Sequence, residues 1–204
     1  MNMKARLNIV KKICLIGEPY VGKSSLIERY VLNTYREAYI PTIGSKVVKK
    51  TLHMEFEPKR SQSVNLTLLI FDLIGHLEFM KILRTYFMGA EGALIVGDVT
   101  REKTLFTMTE WHERFKEVVG NVPVIYLGNK ADLLEKGTLN QTVLKKVATN
   151  GESDHAFTSA KNGENVEWAF YTLARRILDR DTERSRSNAI DTEAYNHQKY
   201  KAHH

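Results

Sequence analysis

The sequence has one cysteine, four prolines and no long uninterrupted run of apolar residues. A single cysteine, Cys14, excludes an internal disulfide, and its place in an apolar run predicts a packed core thiol. A membrane span would need about 18 consecutive apolar residues, and a secretory leader would need a charged start followed by an apolar stretch. The sequence shows neither, so we expect a cytoplasmic protein.

Charge of one sign is also not concentrated anywhere, although the net charge is +6. The basic residues form scattered doublets, without a long basic run or an interleaved aromatic platform. These doublets are Lys11-Lys12, Lys49-Lys50 and Arg175-Arg176. We therefore expect no nucleic-acid binding, while a weak preference for acidic membranes stays open.

Short runs rich in valine, isoleucine and leucine alternate with segments of helical periodicity. The runs are Ile9–Ile16, Val64–Phe71, Ala93–Val96 and Val122–Leu127. The helical faces comprise Leu26, Ile27, Tyr30 and Val31; Leu105, Met108, His112, Phe115 and Val119; and Val166, Ala169, Phe170, Leu173 and Ile177. This alternation predicts an α/β fold with a mostly parallel sheet, helices on both faces, and a ligand site at the carboxyl ends of the strands.

Two segments depart from the alternation. Lys46–Phe56 and Val64–Phe71 are joined by the polar stretch Glu57–Ser63, which predicts a hairpin that adds an antiparallel edge strand. Apolar periodicity stops after Asp181. We therefore expect one domain over residues 1–181 and a polar, flexible or loosely helical tail over residues 182–204.

Residues Gly17–Ser24 have the G-x-x-x-x-G-K-[ST] pattern of a phosphate-binding loop and follow the first apolar run. A loop that leaves a buried strand and opens a helix turns successive backbone N–H groups toward an anion. Lys23 can reach the β- and γ-phosphates, and the Ser24 hydroxyl can ligate Mg²⁺. The predicted nucleotide contacts of this loop are Gly17, Glu18, Pro19, Tyr20, Val21, Gly22, Lys23, Ser24 and Ser25.

Further motifs follow the later strands and specify the nucleotide. Asp72 can hold a water of the Mg²⁺ shell, and Gly75 can offer a backbone N–H to a γ-phosphate. Asp132 can accept hydrogen bonds from the N1–H and 2-amino groups of guanine, donors that adenine lacks. The bracing residues Asn129 and Lys130 and the loop residues Ser159, Ala160 and Lys161, whose amides can meet the guanine O6, complete the predicted base pocket.

With these motifs in this order, the chain resembles the Ras superfamily of small GTPases over roughly residues 9–181, most closely its Rab and Ras branches. The matching segments are Gly17–Ser24, Tyr39–Gly44, Asp72–Gly75, Phe87–Ala90, Asn129–Asp132 and Ser159–Lys161. The resemblance implies a P-loop NTPase G domain with a six-stranded, mostly parallel sheet. It also implies that Thr42 closes over Mg²⁺ and the γ-phosphate, that Tyr39 covers the phosphates, and that Tyr35 lies edge-on to the base.

The resemblance implies a monomeric switch that binds GTP or GDP with Mg²⁺ and hydrolyses GTP by attack of water. Ser24 and Thr42 would ligate Mg²⁺ directly and Asp72 through water, while Lys23 and Gly75 would stabilise γ-phosphate charge. The two switch segments, around Thr42 and Gly75, depend on the γ-phosphate for their order, so hydrolysis releases them. Effectors, exchange factors and activating proteins are the expected partners of these segments.

Three of the residues that depart from the family pattern bear on hydrolysis. His76 stands where most relatives have the glutamine that orients the attacking water; it is the candidate water positioner, and an idle surface histidine is the equal alternative. Pro19 and Tyr20 occupy loop positions often held by small residues, and Pro19 gives up one N–H. We expect slow hydrolysis that depends on an activating protein. A GTP-binding scaffold with little hydrolysis is the alternative, and Asp132 disfavours an ATP-dependent kinase.

The tail lacks the cysteine that membrane-working relatives carry for prenylation, and the sequence does not start with Met-Gly. We therefore expect no lipid anchor, and any membrane contact to be indirect or weak.

Overall fold

A computed structural model of the chain describes residues 6–35, 45–55, 63–76, 79–134, 140–149 and 153–201. Its strands are β1 (Arg6–Ile16), β2 (Ser45–Glu55), β3 (Ser63–Leu73), β4 (Gly92–Asp98), β5 (Val124–Asn129) and β6 (Asp154–Phe157). Its helices are α1 (Lys23–Leu32), α2 (Met80–Phe87), α3 (Glu102–Val119), α4 (Asn140–Thr149) and α5 (Val166–Lys201). Among the described helices, none has both the length and the apolar character needed to cross a bilayer.

The six strands form one sheet in the order β2-β3-β1-β4-β5-β6. All neighbouring pairs are parallel except β2 and β3, which are antiparallel. The predicted six-stranded sheet with one antiparallel edge strand is therefore confirmed. Every residue of β4 is buried, as expected for a parallel strand that is covered on both faces.

Two apolar clusters cover the two faces of the sheet. One cluster contains residues of α1 and α5, where the rings of Tyr30 and Phe170 stack with centroids 3.9 Å apart. The other contains residues of α2, α3 and α4 together with Cys14. Burial raises the pKa of the Cys14 thiol to about 12, so this residue is the packed core thiol that the sequence predicted.

The face of α3 differs from the prediction in one residue. The sequence pattern included His112, but the side chain that lies in the core is Trp111, which is 1% exposed. His112 is half-buried and forms a hydrogen bond with the Tyr126 hydroxyl at 2.7 Å. The apolar positions predicted for α1 and α5 lie in or against the first cluster.

Helix α5 passes the expected domain boundary at Asp181 without a break and continues to Lys201. Leu178 is the last buried apolar residue among the side chains of this helix that the structure describes. Beyond it, Ser185 and Ser187 donate hydrogen bonds to backbone carbonyls one turn earlier in the same helix. No end of a helix marks the division into domain and tail, which stays a prediction.

Candidate nucleotide-binding site

The predicted site residues lie at the carboxyl ends of neighbouring strands. Gly17 follows β1, Asp72 is the penultimate residue of β3, and Asn129 ends β5. Thr158 follows β6 directly. Because parallel strands point the same way, all these positions meet at one edge of the sheet, as the fold class predicted.

The phosphate-binding loop has a backbone that requires glycine at two positions. Gly17 has φ +139° and Gly22 has φ +96°, both in the region that side chains disfavour. A Cβ atom on Gly17 would lie 2.1 Å from the Val96 carbonyl oxygen, and one on Gly22 would lie 2.2 Å from Nδ2 of Asn129. The loop is therefore pressed against both β4 and the base-recognition motif.

The carbonyl oxygens of the loop are held by donors from the protein. Nζ of Lys23 donates to the carbonyls of Gly17 at 2.9 Å and Glu18 at 2.8 Å. Nδ2 of Asn129 donates to the carbonyl of Val21 at 2.8 Å. In a trans peptide the C=O and the following N–H point in opposite directions, so the amides of the loop turn away from these donors. This arrangement offers backbone N–H groups to an anion.

Lys23 carries its charge in a buried position, with only 7% of the residue exposed. Burial lowers its pKa to about 8, while the charges of Asp72 and Glu18 oppose the shift. With a pKa of about 8, the Lys23 side chain is still mostly in its charged form at neutral pH. Its two described hydrogen-bond acceptors are neutral carbonyls. A buried cation with neutral partners is suited to a phosphate ligand.

Ser24 and Asp72 form the candidate metal pair. The Ser24 hydroxyl donates to Oδ2 of Asp72 at 2.5 Å. The other oxygen, Oδ1, is buried and has no hydrogen-bond partner among the residues that the structure describes. Burial raises the pKa of Asp72, against the hydroxyl of Ser24 and the charge of Lys23. A hydroxyl beside a carboxylate with an unsatisfied oxygen fits Mg²⁺, a hard cation that prefers oxygen ligands and retains waters.

The segment after β3 lies directly on the phosphate-binding loop. A Cβ atom on Gly75 would lie 2.5 Å from Nζ of Lys23 and 2.6 Å from the carbonyl oxygen of Gly17. The next residue, His76, is half-buried, and its ring meets the ring of Phe79 edge-on with centroids 5.9 Å apart. Gly75 therefore lies beside the loop, and His76 follows it in the chain, while their predicted roles toward the γ-phosphate and the attacking water stay predictions.

The base-recognition residues are fixed by a hydrogen-bond network. Oδ1 of Asn129 accepts from the Ala160 amide and the Thr158 hydroxyl, both at 3.3 Å. The exposed carboxylate of Asp132 accepts a hydrogen bond from the Ser159 hydroxyl at 2.6 Å. The structure thus brings both base motifs together, with the Asp132 carboxylate held in place at the surface.

Some predicted residues give no test of their roles. Thr42 and Tyr39 lie outside the described residues. Tyr35 follows α1 and is 38% exposed, and Ser25 lies in the first turn of α1. Tyr20 is 51% exposed and has φ +67°, which is unusual for a residue with a side chain.

Sequence reasoning missed Arg29, which connects the two halves of the site. Its Nε donates to the carbonyl of Ala160 at 2.8 Å, and its Nη2 donates to the carbonyl of Lys161. Helix α1, which begins at Lys23 beside the phosphate-binding loop, therefore also braces the base-recognition loop.

Sequence reasoning also missed Asp98 and Arg101, between β4 and α3. The carboxylate of Asp98 accepts from Nζ of Lys130 at 2.7 Å and from Nε of Arg101 at 2.9 Å. Burial disfavours this carboxylate, but hydrogen bonds from Lys130, Thr100 and Arg101 outweigh it and hold the pKa of Asp98 below its ordinary value. The available signal was position, since Asp98 ends a strand at the same edge as the other motifs.

Comparison with known proteins agrees with this geometry. The sequence model of the Ras family matches residues 12–179. The chain belongs to the Ras family. It is similar to the GTP-binding protein ypt1 of Schizosaccharomyces pombe, with 34% identity over 179 residues that cover 87% of this chain and 85% of the relative. It is also similar to the Ras-related protein Rab-1 of Theileria parva, with 36% identity over 174 residues that cover 84% of this chain and 76% of the relative.

Membership of this family makes the chain a Rab-like small GTPase with a P-loop NTPase G domain. The predicted family, fold and enzyme class are therefore confirmed. The family also implies partners that regulate or read the nucleotide state.

Proposed function

We propose that this Rab-like GTPase binds GTP and GDP with Mg²⁺ and hydrolyses GTP slowly unless an activating protein assists. The Ser24–Asp72 pair next to the buried Lys23 carries this proposal, because it combines an anion site with an unsatisfied carboxylate oxygen. The exposed carboxylate of Asp132 supports guanine as the base, since it can accept the two donors of the guanine edge.

The metal would be held by Ser24 directly and by Asp72 through water, with Thr42 as the further ligand that the family implies. When bound, Mg²⁺ neutralises phosphate charge and orients the β- and γ-phosphates. The donor set fits this ion because each of the three side chains offers oxygen.

For hydrolysis, the chain would supply positioning and charge. Lys23 would donate hydrogen bonds to the phosphates, and Gly75, where an added Cβ atom would lie 2.6 Å from the carbonyl oxygen of Gly17, would offer its N–H to the γ-phosphate. His76 would orient the attacking water through a ring nitrogen, in the neutral state that leaves one nitrogen free to accept. Loss of the γ-phosphate would then release Gly75 and Thr42, which is the switching event.

The alternative is a GTP-binding scaffold with little hydrolysis. The edge-on contact between the rings of His76 and Phe79 favours it, because a ring held by a neighbour is less free to turn toward a water. Pro19 and Tyr20 also enlarge the loop where an activating arginine would enter. In either case we propose a cytoplasmic monomer whose switch segments bind effectors, exchange factors and activating proteins.

Single-turnover GTP hydrolysis separates the two functions. The rate should be measured for the wild type, His76→Ala and His76→Gln, with and without a cell extract that supplies activating proteins. The matched control is His53→Ala, since His53 lies in β2 at the opposite end of the sheet. We expect slow turnover that falls at least tenfold in His76→Ala and not in the control.

Two results would change the proposal. Full activity of His76→Ala would remove the water-positioning role. Absence of turnover under every condition, with GTP still bound, would establish the scaffold.

A further inference from the structure

Arg101 adds one more donor to the set that holds the carbonyls of the phosphate-binding loop. Its Nη2 donates to the carbonyl oxygen of Pro19 at 2.9 Å. Lys23 and Asn129 hold the carbonyls of Gly17, Glu18 and Val21. These donors therefore hold four carbonyls of the loop, those of Gly17, Glu18, Pro19 and Val21. Of the three donor residues, Arg101 is the one that belongs to none of the nucleotide motifs.

The guanidinium of Arg101 is itself anchored. Its Nε donates to Oδ2 of Asp98 at 2.9 Å, and Asp98 is only 1% exposed. The same oxygen accepts from Nζ of Lys130 at 2.7 Å. Asp98 is fixed further by the amide and hydroxyl of Thr100. The planar guanidinium thus connects a buried carboxylate on one edge to the loop on the other, a geometry that lysine cannot reproduce.

The loop needs such an anchor at this point. Pro19 has no N–H and a fixed φ, and the next residue, Tyr20, has φ +67° although it bears a side chain. A non-glycine residue in the left-handed region persists only where the surroundings hold it. A hydrogen bond from a charged donor to the carbonyl immediately before Tyr20 fixes the peptide that sets this angle.

We propose that Arg101 is a positioning residue for the phosphate subsite. Through the carbonyl of Pro19 it holds the loop in the conformation in which Tyr20 has a positive φ. Through Asp98 it links that loop to Lys130 of the base pocket. The inference rests on the proposed guanine-nucleotide function. Its consequence is that loss of Arg101 speeds nucleotide release without unfolding the protein, because the side chain is 42% exposed and lies outside both apolar clusters.

The test is the dissociation rate of a fluorescent GDP analogue from the full chain. Variants Arg101→Met and Arg101→Lys are compared with Arg114→Met, an exposed arginine of α3 that pairs with Glu110. We expect Arg101→Met to raise the rate about tenfold or more, the effect of removing one charge-assisted hydrogen bond. Arg101→Lys should recover only part of this loss, and Arg114→Met should equal the wild type.

The same comparison in a Tyr20→Gly variant tests whether Arg101 acts on the strained backbone at Tyr20. If Arg101 only contributed to overall stability, the residue at position 20 would not change its effect. Tyr20→Gly removes the penalty for the left-handed backbone, so Arg101→Met should have a smaller effect on the dissociation rate in this background. The ³¹P resonance of the β-phosphate of bound GDP should move in Arg101→Met and return in the double variant.

The outcomes distinguish the two proposals. If the wild type does not bind guanine nucleotides, the proposed function is wrong. If it binds them and Arg101→Met releases GDP no faster than Arg114→Met, the function stands and the role of Arg101 is wrong. An equal effect of Arg101→Met with Tyr20 and with glycine at this position overturns the link to the strained backbone.

Discussion

Single atoms decide the shape of the phosphate-binding loop. Gly22 lies so close to Asn129 that one added carbon would reach its Nδ2. Asn129 cannot easily move aside, since it is 1% exposed and bonded to the carbonyl of Val21, the amide of Ala160 and the hydroxyl of Thr158. The phosphate-binding loop and the predicted base pocket therefore share one buried side chain.

We expect Gly22→Ala to weaken guanine-nucleotide binding at least a hundredfold, because its methyl group displaces Asn129 from the loop. The matched control is Gly89→Ala. Gly89 also has a positive φ, but a Cβ atom there would meet nothing within 4 Å. Both variants carry a backbone penalty of about 1–2 kcal/mol, and only the one at position 22 adds the contact with Asn129. Fluorescence titration measures both affinities, and equal affinities would refute the shared role of Asn129.

At the scale of elements, the packing of α3 beside β5 places a titratable group, His112, in a half-buried position. His112 is half-buried against Tyr126, and burial lowers its pKa below the ordinary value of 6.5, with Lys116 in support and Glu113 opposed. The folded state therefore disfavours the protonated ring. Stability is unaffected by this group well above pH 6.5 and decreases as the pH falls through that value, where the unfolded chain takes up the proton first.

We expect the urea midpoint of the wild type to fall between about pH 8 and pH 5, and to fall less in His112→Gln, which keeps a polar partner for Tyr126 but does not titrate. Denaturation at the two pH values measures the difference. An equal fall in both proteins would show that His112 is not the group responsible.

The elements are also where sequence reasoning worked best and where its limits appear. The order of β1 to β5 and of α1, α3 and α5 followed from apolar runs and periodicity, because burial on two faces or on one stripe leaves a mark in sequence. No named run or face predicted α2, α4 or β6. The choice between Trp111 and His112 did not follow, since adjacent helical positions differ by only about 100° and packing decides between them. Arg101 could not be predicted, because its partner Pro19 is 82 positions away and a backbone carbonyl carries no sequence signal.

At the scale of the whole molecule, the buried residues of α5 cover one face of the sheet. Leu178 is 3% exposed, and Asp181 pairs with Lys11 of β1 at 2.6 Å. Burial opposes the charge of Lys11, but Asp181 and Glu91 outweigh it and raise the pKa of the ammonium. Beyond this pair, the described hydroxyls of Ser185 and Ser187 bond within the helix itself.

We expect removal of residues 188–204 to leave the melting temperature and nucleotide affinity unchanged, because the packing and the Lys11 pair remain. Removal of residues 178–204 should destabilise the fold by about 2–3 kcal/mol, since it exposes the contacts of Leu178. Thermal unfolding of both truncations measures this. A large loss from the shorter truncation would place the domain boundary beyond residue 187.

Guanine specificity is the measurement that tests the account most directly. The Asp132 carboxylate, held by Ser159, should accept the N1–H and 2-amino donors of guanine. Binding of GDP and xanthosine diphosphate should be compared for the wild type and Asp132→Asn. We expect the wild type to prefer GDP by a large factor and Asp132→Asn to prefer the xanthine nucleotide. A preference that does not change on this substitution would contradict the assignment of the base pocket and, with it, the proposed switch.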